Sequence, residues 1–349
     1  MTVDIYGNKD RLLVYVYAPP WRQNSAGIKV LHYLVHSINK MGHDGWLVIS
    51  NPKSSFPLTN PRLSTPILSQ SQANEHFIQK RNPWVVYSET VPGNPLKANQ
   101  VIRYLLNFPG SLGGPRQFNL SEHIISYSDK IAETQNAPSL TLFIPVVDRN
   151  ELPLPISQTH KKGSLVYAGK YRAFFGAPDI SMVGNAIEIF RDGLMAQPRD
   201  EVLKMLNEAK QVYLFENSTI ATEALLLGTV CIFVKNPFFQ ENITHFELGG
   251  NGIGYLGDLE SIDFAHATVE EYGFGYERAV ADFPGTMEKF LEHFQALSLS
   301  QITTRPIVVP RKPMFFSRHR ISLLFSYWAT QGGFATFRLI TRYLYSLIR

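Results

Sequence analysis

QVYLFENSTIATEALLLGTVCIFV, residues 211–234, decides how this 349-residue chain is read. Gln211 to Phe215 and Thr229 to Val234 are short apolar runs of strand length. Between them Thr219 to Leu227 is helical in composition and is closed by Gly228. Strand, helix, strand at this spacing is the repeating unit of an α/β domain. Upstream, the strand Ser164 to Ala168 and the helix Arg199 to Ala209 extend the same alternation.

The first half opens in the same way. Leu12 to Tyr17 is a β-rich run, followed by the turn residues Ala18, Pro19 and Pro20 and a polar stretch to Gly27. Ile28, Leu31, Leu34, Val35 and Ile38 then recur at helical spacing, Gly42 stops the helix, and Trp46 to Ile49 forms the next strand. Trp84 to Tyr87, Val101 to Leu106 and Ile124 to Tyr127 continue the strands. A chain of this length exceeds what one core organises, so two domains of about 150 residues are expected. Pro153 and Pro155, followed by polar residues to Lys162, mark the linker. The expected division is 1–155, 156–298 with an amphipathic helix at Met287 to Leu297, and a terminal segment 299–349.

Composition closes several classes. At 44% hydrophobic and 18% charged the chain is of ordinary globular type. Cys231 is the single cysteine, so neither a disulfide framework nor a thiolate zinc site is available. The ten histidines show no metal-ligand spacing and no nucleophile elbow is present. Met1 to Lys9 is polar and lacks a signal core, so a cytoplasmic protein is expected. Charge is regional: Arg311 to Arg349 carries seven Lys and Arg and no acid, which leaves 26 basic against 29 acidic residues before it. The body therefore lacks the spread basic face that nucleic acid requires. In the tail, Arg318, Arg320, Arg338 and Arg342 punctuate apolar blocks split by Gly332 and Gly333. Neither block reaches the ~20 apolar residues of a spanning helix, so the tail is expected to bind an anionic membrane surface peripherally or to pack on the body.

The residues that carry chemistry cluster where strands end. Ser218 or Thr219 opens a helix whose unpaired N–H groups and positive dipole end attract a diphosphate, though simple capping explains the same residues. Glu216 precedes them. Glu223 lies one turn on, where a carboxylate accepts from vicinal ribose hydroxyls or, more plainly, is a solvated helix glutamate. Glu89 and Asn94 follow the strand 84–87. Glu89 is a candidate general base or sugar-orienting group and Asn94 a candidate acceptor contact, and both also suit an exposed turn.

EALLLGTVC, residues 223–231, resembles the donor-site helix of GT-B glycosyltransferases. The resemblance implies two Rossmann-like domains facing a central cleft, a nucleotide-diphosphate sugar as donor, and Glu223 as the ribose ligand. The family's second glutamate stands eight positions earlier, at Phe215 here, so Glu216 is displaced by one. YAGKYR, residues 167–172, resembles the basic donor-phosphate segment. It implies that Gly169 lets the donor approach while Lys170 and Arg172 stabilise the leaving diphosphate where a metal otherwise serves. NSAG, residues 24–27, resembles the glycine loop of the first domain, which implies a donor contact at Gly27 and an acceptor contact at Asn24. NFPG, residues 107–110, resembles a segment of bacterial cell-surface polysaccharide glycosyltransferases. The chain contains no Asp-x-Asp, so no metal or other cofactor is expected. The acceptor would be a glycan or a lipid-linked molecule. Two alternatives stay open, an epimerase of nucleotide sugars with the same fold and a non-catalytic sugar-binding scaffold.

Overall fold

A computed structural model describes residues 11–135, 139–191, 195–236, 239–297 and 305–310. The described residues up to Val146, together with those from Val280 on, form one compact unit; Val147–Ala279 form the other. The division thus falls at Val146 rather than at residue 155, and 280–297 belong with the first unit. The basic segment 311–349, and with it nearly all of the expected terminal segment, lies outside the described residues.

The first unit runs β1 (Leu13–Ala18), α1 (Ala26–Lys40), β2 (Asp44–Ile49), α2 (Gln70–Ile78), β3 (Trp84–Ser88), β4 (Gln100–Leu105), β5 (His123–Ser126), α3 (Asp129–Ala132) and β6 (Leu140–Thr141). Its strands form one parallel sheet in the order β2-β1-β3-β4-β5-β6, with Leu13 opposite Asp44 and Val14 opposite Trp84. Alternation along β1 sorts the core. Val14, Val16 and Ala18 face Leu34, Val35 and Ile38 of α1, while Leu13, Tyr15 and Tyr17 face the other layer with Ala73 of α2. Beyond the second unit the chain returns with Met287, Phe290 and Phe294 on the α1 side, each side chain contributing about 1.5–3 kcal/mol by burial. Ile307 joins the opposite layer. There Gln70 brackets the returning backbone, donating to the Ile307 carbonyl at 3.0 Å and accepting the Val309 N–H at 2.9 Å.

The second unit runs β7 (Ser164–Tyr167), α4 (Gly169–Phe175), β8 (Ile187–Ile189), α5 (Arg199–Glu208), β9 (Gln211–Leu214), α6 (Thr219–Leu226), β10 (Val230–Phe233), α7 (His245–Leu248), β11 (Ile253–Tyr255), α8 (Leu259–Thr268) and the first turns of α9 (Tyr272–Leu297). Its sheet is parallel in the order β11-β10-β9-β7-β8. Two elements differ from expectation. Residues 169–175, to which the sequence assigned no element, form a helix. The helix expected from Met287 starts at Tyr272, because Gly273, Gly275 and Pro284 break the sequence signal without breaking the helix. Gly275 is there for space: a side chain would run into the Leu248 carbonyl.

Candidate functional site

Open parallel sheets bind ligands at the carboxyl ends of the strands, at the point where the strand order reverses. In the second unit β7 is flanked by β8 on one side and β9 on the other, so the reversal lies between β7 and β9. The loops leaving those two strands are stitched together. Lys170, near the head of α4, donates from Nζ to the Asn217 carbonyl at 2.9 Å. Glu216 reaches the opposite way, and its Oε2 accepts the Tyr171 N–H at 2.9 Å. Burial pushes the Glu216 carboxyl above the usual carboxylate range, against the pull of the Lys170 charge and the Tyr171 amide. Its second oxygen, Oε1, is buried without a hydrogen-bond partner. Gly169 keeps the strand end narrow, since a Cβ there would lie 2.5 Å from the Tyr167 hydroxyl.

Ser218 caps α6, its side chain accepting the Ile220 N–H at 3.3 Å. Thr219 and Glu223 stand one turn apart on that helix and both meet Arg191, which follows β8. Arg191 Nη1 donates to Thr219 Oγ1 at 3.2 Å and to Glu223 Oε2 at 3.5 Å. Arg199, at the start of α5, faces Glu223 Oε1 at 3.6 Å and Glu151 at 3.4 Å. The Glu223 side chain is 2% exposed. It is not the solvated helix glutamate that its sequence position also allowed. Each of its oxygens faces a guanidinium, and this is its observed environment rather than an open ribose-binding surface.

Arg172 is turned elsewhere. Its guanidinium pairs with Glu188 on β8 and lies over the Phe190 ring at 5.6 Å, so its charge is neutralised beside the sheet edge. Lys170 alone of the expected cation pair stays at the strand reversal.

The first sheet reverses between β1 and β3. Gly27, in the first turn of α1, and Glu89, just past β3, flank that point. Glu89 is 2% exposed and its Oε2 accepts the Leu106 N–H at 3.0 Å, which ties the carboxylate to the ends of β3 and β4. Asn94 is likewise held inward: its side chain accepts from the Tyr87 hydroxyl and the Ala98 N–H and donates to the Ala98 carbonyl. These bonds close the 94–98 turn. Asn24 is exposed beside Ser25, which caps α1 without a side-chain hydrogen bond. A Cβ at Gly27 would make only an ordinary contact with Leu106. Among the described residues no three His, Cys, Asp or Glu side chains group as metal ligands, and no helix is long and apolar enough to cross a membrane.

No family model and no curated protein matches this chain. Solved structures do. An O-GlcNAc transferase of Thermobaculum terrenum aligns over 83% of this chain and 68% of its own, with TM-score 0.50 and 10% identity. AviGT4, a glycosyltransferase involved in avilamycin A biosynthesis, aligns over 83% and 99% with TM-score 0.40 and 16% identity. WaaG, a glycosyltransferase involved in lipopolysaccharide biosynthesis, aligns over 83% and 100% with TM-score 0.43 and 11% identity. The two parallel sheets, each wound both ways from its first strand, and α9, whose residues from Val280 on belong to the first unit, complete the comparison.

This chain has the GT-B fold.

Within the GT-B frame, Lys170, Glu216, Ser218, Thr219 and Glu223, which the sequence singled out, lie together at one strand reversal, while Arg191 and Arg199, which face Glu223, were not singled out. Their signal was faint. Arg191 ends the run Ile187 to Phe190 and Arg199 follows Pro198, places where an exposed arginine is ordinary. Arg103, at the centre of β4, was also missed, although a charged residue in a strand with no polar face is a usable sign.

Proposed function

We propose that this GT-B chain is a glycosyltransferase that moves a sugar from a nucleotide-diphosphate donor to a glycan or lipid-linked acceptor of a cell-surface polysaccharide. One observation carries the proposal. At the strand reversal of the second sheet, a lysine ammonium, a hydroxyl-headed helix and a buried carboxylate oxygen without a partner converge. These are the groups that a phosphorylated sugar needs: positive charge and donors for the diphosphate, and an acceptor for a hydroxyl. That the Thermobaculum protein of like fold is an O-GlcNAc transferase agrees by analogy.

The chemistry asked of the chain is electrostatic. As the bond between the sugar and the diphosphate breaks, charge builds on the leaving oxygens, and Lys170 with the head of α6 stabilises it without a metal ion. Glu216 Oε1 accepts from a donor hydroxyl, and Asn24, ahead of α1, is the acceptor contact. The test is release of nucleoside diphosphate from UDP-, GDP-, ADP- and dTDP-sugars with and without membrane glycan acceptors. Release that depends on the acceptor is expected. Interconversion of the sugar without acceptor would mark an epimerase, and inertness with every donor a scaffold.

The basic segment Arg311 to Arg349 would hold the enzyme to the cytoplasmic face of a membrane. Its seven cations at about 1 kcal/mol each suffice for reversible, salt-sensitive attachment. Truncation after Pro310 keeps Ile307 and Val309 on Gln70, so the body is expected to fold unchanged while co-sedimentation with phosphatidylserine vesicles is lost. Equal vesicle binding by the truncated and the intact protein would refute the assignment.

A further inference from the structure

The loops that leave β1 and β2 are tied together and carry charge of one sign. The Trp21 N–H donates to the Leu58 carbonyl at 3.3 Å, and His32 on α1 donates from Nε2 to the Pro19 carbonyl at 3.0 Å, so the loop ahead of α1 is held from both sides. Arg22 follows Trp21, and its guanidinium lies over the Phe56 ring, 4.3 Å from the ring centre. Both side chains are exposed. Stacking uses the face of a guanidinium and leaves the N–H groups in its plane to fork onto an anion. No carboxylate among the described residues pairs with Arg22. From Pro19 to Asn74 the one acidic residue is Asp44, which begins β2 at the opposite end of the sheet and is engaged by Arg81 at 2.6 Å. Lys53 and Arg62 stand in the segment after β2. Beside the head of α1, Gly27 borders Leu106, and in the loop after Leu106 the Arg116 side chain lies against Gly110, where a Cβ would be 2.6 Å from its Cγ. Glu122, the acid that closes this loop, is taken by Arg103. The carboxyl ends of β1, β2 and β4 thus present Arg22, Lys53, Arg62 and Arg116, with the Arg22 fork braced in place.

We propose that the acceptor is an anionic glycan, and that Arg22, braced on Phe56, selects it by donating two in-plane N–H groups to the oxygens of a phosphate or a carboxylate. This rests on the glycosyltransferase reading and narrows it to acceptors that carry charge. A neutral saccharide offers hydroxyls one at a time, whereas a phosphate or a uronate matches the spacing of the fork. The fork stands two residues ahead of Asn24, so one loop reads both the anion and a sugar hydroxyl. Lys53, Arg62 and Arg116 act at longer range and steer a charged acceptor to this edge without fixing its pose.

Probes that differ only in charge test this on the full chain. Hexyl glycosides of glucose, galactose and mannose, each as the neutral sugar, the 6-phosphate and the uronate, are titrated by calorimetry. Wild type is expected to bind a charged form about 10-fold or more tightly than its neutral parent, the range of a charge-assisted hydrogen bond, and the form preferred tells phosphate from carboxylate. Arg22→Gln is expected to bring the charged probes down to the level of the neutral ones, which stay within about twofold. Arg22→Lys, which keeps the charge but not the fork, is expected to recover part of the loss. Phe56→Leu is expected to weaken the charged probes in the same sense, and the exposed Arg22 variants to melt with wild type. Wild type that binds charged and neutral probes alike, or binds none, would overturn the proposal, as would an equal loss of all probes in Arg22→Gln. Loss of phosphatidylserine vesicles with unchanged probe binding in Arg22→Gln would also overturn it, since the edge would then meet a lipid surface and not a glycan. Binding of charged probes through Arg22, with no diphosphate released from any nucleotide sugar, would sink the glycosyltransferase reading instead and leave the anion site standing.

Discussion

Replacing Lys170 by alanine is expected to lower sugar transfer about 10²-fold while leaving the melting temperature nearly unchanged. The geometry sets both halves of that expectation. Among the described residues Lys170 Nζ makes one hydrogen bond, to the Asn217 carbonyl at 2.9 Å, and an ammonium has three donors, so two protons are left for a ligand at the strand reversal. The side chain is half-buried and its loss opens no core, so stability has little to lose. Its charge acts where the leaving diphosphate would form, in a site already deprived of Arg172 by the Glu188 pair. Single-turnover rates on the two proteins measure the effect. A chelator added to wild type is expected to leave the rate intact. A rate that collapses and returns with divalent metal would mean that an ion, and not Lys170, neutralises the leaving group.

What the sequence made legible was local. Hydrophobic periodicity placed β1, α1, β2, β9, α6 and β10 within a residue or two, because each is set by its own spacing and the two helices are stopped by Gly42 and Gly228. It failed where two influences conflict in one segment. In α9 the glycines and Pro284 read as breakers, but the helix is imposed by the packing of Gly275 on α7 and of Phe290 and Phe294 on the first sheet. The candidate site divided along the same line. Strand ends pointed to Lys170, Glu216 and Thr219, whereas the partners of Glu223 lie 32 and 24 residues away in sequence and become neighbours only through the strand order. Glu89 and Asn94 show the same limit on the question of exposure. Turn composition suggested exposed groups, and the backbone amides of Leu106 and Ala98 claimed them.

Arg103→Met is expected to destabilise the first unit by about 3–5 kcal/mol, the usual consequence of removing one member of a buried ion pair. Arg103 is fully buried in β4, and each of its nitrogens is engaged. Nε donates to Glu122 at 2.8 Å, Nη1 to the Ser88 and Val91 carbonyls at 3.1 and 2.6 Å, and Nη2 to the Gly93 carbonyl at 2.8 Å. The guanidinium also lies 5.2 and 5.0 Å from the Tyr87 and Phe118 rings. Methionine of similar length fills the space but leaves the nearly buried Glu122 carboxylate unpaired and the Val91 and Gly93 carbonyls without their donor, while the Ser88 carbonyl keeps the Val91 N–H. Because Ser88 to Gly93 includes Glu89, the same change should loosen the loop that borders the first strand reversal. Melts of wild type, Arg103→Met, Glu122→Gln and the double variant form a cycle in which the second change recovers part of the loss, as it removes the stranded charge. Hydrogen exchange should show lost protection confined to residues 88–93 and their neighbours. An Arg103→Met protein that melts with wild type would show that these carbonyls find water as readily as they find arginine, and the loop would then owe its shape to the packing of Gly114 against Glu89 and Thr90 instead.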